Sequence, residues 1–250
     1  MKSLVRLSLF LTLVSIAAGV SADEVQVAVA ANFTAPMKQI AAAFEKETGH
    51  VVNASFASTG KLYAQIKNGA PFEALLAADD KTPTKIEEER LGVVGTRFTY
   101  AVGTLVLWSA DPRLIDDQGK MLAQGDFTKL AIANPKLAPY GAAAIETLKA
   151  LGLLEPLEPK FVEGENIAQT YQFVRTGNAA LGFVALSQVM KGGELSEGSA
   201  WIVPGKLHAP IRQDAIILKP GDGKPAVIEF MDYLKGDKAR EIIRAFGYEI

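Results

Sequence analysis

Three short stretches of small and hydroxyl residues stand just before segments of helical spacing: Ala31-Asn32-Phe33, Ser58-Thr59-Gly60 and Ala138-Pro139-Tyr140-Gly141. A fourth, Glu165-Asn166-Ile167, has the same placement. The first N–H groups of a helix have no intrahelical acceptor. The aligned peptide dipoles add partial positive charge there, so such a junction favours an anion. The Asn32 amide and the Ser58 and Thr59 hydroxyls would contribute side-chain donors. Four junctions of this kind facing one cleft would hold a small oxyanion with neutral donors alone. The same residue types are also the commonest helix N-caps, so spacing by itself leaves both readings open.

The remaining candidates are weaker. Thr59-Gly60-Lys61-Leu62 would be a phosphate loop only with glycine at 55 and Ser or Thr at 62, where the chain has Ser55 and Leu62. Asp79-Asp80 offers paired carboxylates, but a solvated turn after a strand is the simpler reading. His50 follows the helix stop Thr48-Gly49 and is expected at the surface. His208 stands in a loop near Pro210, and nothing brings the two histidines together. Glu87-Glu88-Glu89-Arg90 reads as a solvated helix face and Trp108 as core. No nucleophile elbow and no metal-ligand spacing occurs.

The elements that must position the junctions alternate along the chain. Residues 25–31 (VQVAVAA) read as a strand, and Met37, Ile40, Ala41 and Phe44 then follow at helical spacing. Strand 51–56, a short helix carrying Leu62 and Ile66, and strand 73–77 repeat the pattern. Further strands are expected at 105–109, 130–133, 161–163, 181–185, 201–203 and 213–218. Helices are expected at 142–151, 167–175, 226–234 and 238–246. Such alternation with short connections predicts mostly parallel sheets flanked by helices. Chain crossings near 100–103 and 186–190 would divide the molecule into two α/β lobes enclosing a cleft, where ligands sit in such architectures.

Composition agrees by what it excludes. The 250 residues carry a net charge of −2, with 22% charged residues, no cysteine and two histidines. There is no basic surface of the kind that nucleic-acid binding requires. Disulfides, thiolate metal sites and cysteine nucleophiles are ruled out, and little is left for a histidine-based triad.

Residues 1–22 (MKSLVRLSLFLTLVSIAAGVSA) have a positive start, an apolar run too short for a membrane span and small residues at a cleavage site. They read as a secretory signal peptide. Cleavage after Ala22 removes Lys2 and Arg6 and no acidic residue, moving the net charge from −2 to −4. No cysteine follows to carry a lipid, so an exported chain with no membrane insertion after cleavage is expected, as suits a periplasm.

With the junctions in view, the chain resembles the periplasmic molybdate-binding proteins of ABC importers. The resemblance runs in order through VAVAANFTAPMKQIAAAFEKETGH, SFASTGKLYAQIKNGAPFEALLAADD, RFTYAVGTLVLWSA, IANPKLAPYGAAAIETL, ALGFVALSQV and FMDYLKGDKAREIIRAFGY. It implies a two-lobed type II periplasmic-binding-protein fold, with lobe one formed by 23–102 and 189–250 and lobe two by 103–188. It also implies closure over a tetrahedral dianion.

By the same resemblance, the oxyanion contacts fall to Asn32 after the first strand, with Ala31 beside it. Thr59 and Ser58 follow after the second strand, and the backbone N–H groups of Tyr140 and Ile167 complete the set. Some relatives place a tyrosine where this chain has Ala185 and a hydroxyl residue where it has Ala31. The molybdenum or tungsten would be held through its oxygens, with no direct metal ligand and no cofactor. The implied partners are a membrane permease and its cytoplasmic ATPase, and a monomer is expected. The implied role is capture of molybdate, and comparably tungstate, in the periplasm rather than catalysis. A sulfate or phosphate receptor is the alternative within the binding class. An exported hydrolase using the Ser58/Thr59 loop or Asp79-Asp80 is the rival outside it, and a regulator's ligand-sensing domain is a third option.

Overall fold

The structure, a computed structural model, describes residues 22–250. The signal-peptide reading of residues 1–22 therefore falls almost wholly outside the described residues.

The chain begins with β1 (Glu24–Ala30), a 3-10 turn and α1 (Thr34–Thr48), then β2 (Val51–Ala57), α2 (Thr59–Lys67), β3 (Ala74–Leu76), α3 (Lys81–Glu88) and β4 (Phe98–Gly103). It continues through β5 (Leu105–Ser109), α4 (Lys120–Gln124), β6 (Leu130–Ala133), α5 (Pro139–Ala150) and α6 (Leu154–Leu157). Next come β7 (Phe161–Gly164), α7 (Ile167–Arg175), β8 (Leu181–Ala185) and α8 (Leu186–Val189). A small hairpin of β9 (Met190–Lys191) and β10 (Glu194–Leu195) precedes β11 (Ser199–Ile202) and β12 (Ile211–Ile217). Helices α9 (Pro225–Lys235) and α10 (Asp237–Ala245) close the chain.

Two five-stranded sheets result, ordered β2-β1-β3-β12-β4 and β11-β5-β8-β6-β7. Alternate residues of β1 serve opposite faces of the first sheet. Val25, Val27 and Val29 pack with Phe33, Phe44 and Phe230 on the side of α1, α9 and α10, whereas Ala28 packs with Leu62 and Ile86 under α2 and α3. A helical layer on both faces explains why the strands are apolar nearly throughout. Trp108 is fully buried as expected, and its indole N–H donates to the Glu197 carbonyl at 3.0 Å.

Two sequence expectations need correction. The sheets are mixed rather than mostly parallel. In the first, β1 runs parallel to β2 and β3, but β12 runs antiparallel to β3 and β4. In the second, β6 is parallel to β7 and β8, but β5 is antiparallel to β8 and β11. The physical reason is that β12 enters its sheet from the other lobe instead of over a crossover helix, so nothing constrains it to run parallel.

The second correction concerns where the chain returns. The first crossing is at Thr104, directly after the expected 100–103. The return is not at 186–190: β11 pairs with β5 over Ser199–Ile202, so the second lobe extends past 188 and the chain recrosses between β11 and β12. The stretch 186–190 does touch the first lobe, since the Ser187 hydroxyl donates to the Asn32 carbonyl at 2.9 Å. An inter-lobe contact there is easily read as a crossing. Among the described residues no helix is long and apolar enough to cross a membrane.

Candidate functional site

Strand register brings the four junctions together. Ala30 pairs with Ala57 at the ends of β1 and β2, so the chain leaves both strands side by side, at Ala31 and Ser58. Ala133 pairs with Gly164 at the ends of β6 and β7, which places the starts of α5 and α7 next to each other. All four are carboxyl ends of parallel strands, where ligands bind in open α/β sheets. Gly141 allows α5 to begin close over β6, because a Cβ there would fall 2.1 Å from the Ala133 carbonyl oxygen.

The two pairs face one another across a small cavity of about 10 Å³. Ala31, Asn32, Ser58, Thr59, Tyr140 and Ile167, the six residues expected at the site, all line it, with Ala30, Ala78, Ala138, Pro139 and Asn166. No charged side chain is among them.

The choice between cap and donor resolves differently at each junction. Ser58 occupies the N-cap position of α2 yet makes no capping bond, and its hydroxyl, buried in the wall, has no hydrogen-bond partner. A buried unpaired hydroxyl is costly and calls for an explanation. The Thr59 hydroxyl accepts from the Ala78 N–H at 3.0 Å, which leaves its own proton to donate. Asn166 is a cap: its carbonyl oxygen accepts from the N–H groups of Ala168 and Gln169, both at 3.0 Å. That satisfies the second and third residues of α7 and leaves the Ile167 N–H, with no acceptor among the described residues. Pro139 has no N–H, so Tyr140 carries the first one of α5, and it too has no acceptor among the described residues.

Asn32 departs from expectation. Its Nδ2 donates to Gln213 Oε1 and to the Tyr248 hydroxyl, both at 2.9 Å, so its side-chain donors turn into the protein rather than into the cavity. The Asn32 main-chain N–H, in the 3-10 turn after β1, has no acceptor among the described residues. Sequence reasoning missed Gln213, Tyr100 and Tyr248 behind the site. Gln213-Asp214 heading an apolar strand was the available signal, but a polar pair at a strand start is usually exposed. Burial raises the Tyr248 hydroxyl to about 12 and, first among several causes, holds those of Tyr100 and Tyr140 well above their usual range. All three are neutral donors or acceptors at ordinary pH.

The lobes meet at the site. Gly60 donates its N–H to the Leu137 carbonyl at 2.9 Å, and Lys61 pairs with Glu165, each contact joining α2 to the second lobe. Beside these contacts a wider cleft of about 390 Å³ shares Ala78, Ala138 and Pro139 with the cavity and reaches solvent past Asp79, Lys136 and Arg212.

The other candidates lie elsewhere. Asp79 accepts from the N–H and hydroxyl of Thr82 at 2.7 and 3.2 Å, at the start of α3; burial, more than any other cause, raises its carboxyl. His50 is buried rather than exposed. Its Nδ1 accepts from the Asp23 N–H at 3.0 Å and its Nε2 lies 3.3 Å from Glu229, because α9 packs over the helix-to-strand turn that sequence alone leaves open. His208 is half-buried in its loop. At Ala185, the position where some relatives are expected to carry a tyrosine, the N–H donates to Gln188 Oε1, and Gln188 Nε2 donates to the Ile167 carbonyl, both at 3.0 Å, steadying the start of α7. Among the described residues no three His, Asp or Glu side chains cluster to hold a metal ion.

Comparison with known proteins identifies the family. Residues 25–249 match the family described as bacterial extracellular solute-binding protein. The chain is 61% identical over 246 residues to the molybdate-binding protein ModA of Azotobacter vinelandii, covering 98% of each. It is 53% identical over 229 residues to ModA of Rhodobacter capsulatus, covering 91% of this chain and 89% of that one. The solved periplasmic molybdate-binding protein of Azotobacter vinelandii has the same fold, with a TM-score of 0.88 at 43% identity, covering 90% of this chain and 99% of that one. With the family matched over nearly the whole length and the two-lobed fold shared, the chain belongs to the bacterial extracellular solute-binding proteins.

Proposed function

We propose that this chain is a transport receptor that captures molybdate, and tungstate comparably, in the periplasm and delivers it to an ABC import permease with its ATPase. The observation that carries the reading is the Ser58 hydroxyl: buried, unpartnered and set in a cavity onto which the starts of α2, α5 and α7 open. The relatives named for molybdate binding support the choice of ion.

The chemistry follows from the donor set. A dianion entering the cavity loses hydration, which is costly unless replaced. The Ser58 and Thr59 hydroxyls and the N–H groups of Asn32, Tyr140 and Ile167 replace it with charge-assisted hydrogen bonds. Because these groups offer protons and the lining holds no carboxylate, a protonated oxyanion would meet donor with donor. Sulfate is also a tetrahedral dianion, so discrimination rests on cavity size. Groups from both lobes contact one ion, so binding favours the closed state. Ions bound this way are cargo, and the site needs neither a cofactor nor a direct metal ligand. A hydrolase reading finds no support at Ser58, whose hydroxyl has no base beside it among the described residues.

Competition calorimetry on the mature protein with molybdate, tungstate, sulfate and phosphate tests the proposal. Tight molybdate and tungstate binding with little sulfate competition is expected. Comparable sulfate affinity would overturn the choice of ion.

A further inference from the structure

Behind the cavity lies a polar cluster centred on Gln213, which is not among the residues that line the cavity. Gln213, on β12, is fully buried. Its Oε1 accepts from Asn32 Nδ2 at 2.9 Å and from the Tyr100 hydroxyl at 3.1 Å. Its Nε2 donates to the Tyr140 hydroxyl at 3.2 Å. Asn32, Tyr100 and Gln213 belong to the first lobe, whereas Tyr140 is in the first turn of α5 in the second. One side chain thus ties the junction after β1 to the junction that opens α5.

The Tyr140 ring reaches this cluster at the point where the chain changes lobe. A Cβ on Gly103 would lie 2.1 Å from the Tyr140 hydroxyl and 2.5 Å from Gln213 Nε2, so only glycine at the end of β4 leaves room for the bond. Of the three Gln213 hydrogen bonds, the one to Tyr140 is the one that crosses between lobes. Buried polar groups deprived of a partner are penalised, so separating Tyr140 from Gln213 disfavours the open form.

We infer that Gln213 is a positioning residue for the oxyanion site. Through the Tyr140 hydroxyl it holds the first turn of α5, and with it the Tyr140 N–H, where the closed cavity requires it, and it biases the lobes toward closure. This rests on the reading of the cavity as an oxyanion site, and it adds a residue that does not itself touch the ion.

The chain has no cysteine, so Lys38→Cys on α1 and Lys149→Cys on α5, both exposed, accept spin labels at two defined points, one on each lobe. The distance between them is measured without ligand in the otherwise unchanged protein, in Tyr140→Phe, in Gln213→Leu and in the double variant. Molybdate affinity is measured on the same four. Tyr140→Phe keeps the ring and removes the cross-lobe bond to Gln213 together with the hydroxyl's contact with Tyr248; it should shift the distances toward longer separations and weaken binding about fivefold, the equivalent of one net hydrogen bond. Gln213→Leu should do at least as much, and the double variant no more than Gln213→Leu alone. Unchanged distances in Tyr140→Phe, or effects that simply add, would overturn the inference. Tyr140→Phe keeps the test decisive if Gln213→Leu fails to fold. Failure of the unsubstituted protein to bind molybdate would instead overturn the proposed function, while the ligand-free distances would still judge Gln213.

Discussion

Gly60 and Leu137 belong to opposite lobes, and they meet through a main-chain hydrogen bond of 2.9 Å from the Gly60 N–H to the Leu137 carbonyl. A Cβ on Gly60 would lie 3.1 Å from Leu137 Cα and 3.2 Å from its Cδ2 and carbonyl oxygen. The absent side chain therefore lets the cleft close to backbone contact beside the cavity. Gly60→Ala should weaken molybdate binding by about 1–2 kcal/mol through this crowding. It should leave the ligand-free melting temperature level or slightly raised, because alanine is the better helix residue. Calorimetry and thermal melting on one preparation check both signs, and unchanged affinity would show that the contact does not govern closure.

Ser58 and Thr59 are neighbours with opposite expected responses. Ser58→Ala removes an unpaired buried hydroxyl, so ligand-free stability should rise by up to about 1 kcal/mol while binding loses about 1.5–3 kcal/mol. Thr59→Val also takes the acceptor from the Ala78 N–H, so stability and binding should both fall, each by about 1–3 kcal/mol. Melting curves with and without molybdate separate the two cases. A loss of ligand-free stability in Ser58→Ala would mean that its hydroxyl has a partner within the protein.

Alkaline stability should report the buried tyrosines. Tyr248 is raised from 10.0 to about 12 by burial, and Tyr100 and Tyr140 shift the same way. The unfolded chain releases these protons first, so the stability they contribute is fully present below pH 10 and is lost as pH rises through about 12. A melting temperature that falls steeply above pH 10, and less steeply in Tyr248→Phe, is the expected result. Equal slopes would assign the loss to other groups.

Lys61 and Glu165 form an ion pair across the cleft, but both are about half exposed. Such pairs contribute little and are screened by salt. Lys61→Met should therefore change molybdate affinity by less than about threefold, the scale of an exposed pair. A tenfold loss would place the lysine's charge in the recognition of the ion.

The sequence by itself determined the alternation of strands and helices and the four junctions whose residues come to line the cavity. Each of these follows from local pattern: apolar runs, Pro139 at a helix start, small residues after strands. The resemblance then singled out these junctions from others equally suited to capping. Local pattern could not say that Ser58 leaves its hydroxyl free while Asn166 spends its side chain on a cap. Nor could it say that Asn32 turns its amide toward Gln213, 181 residues away in the chain. It also missed that β11 stays with the second sheet and that α9 buries His50. Hydrogen-bond partners and sheet membership are set by contacts between distant segments, and a polar side chain has the same sequence signature whether it faces a ligand or a buried neighbour. Tertiary packing alone decided which protons are left over for an anion.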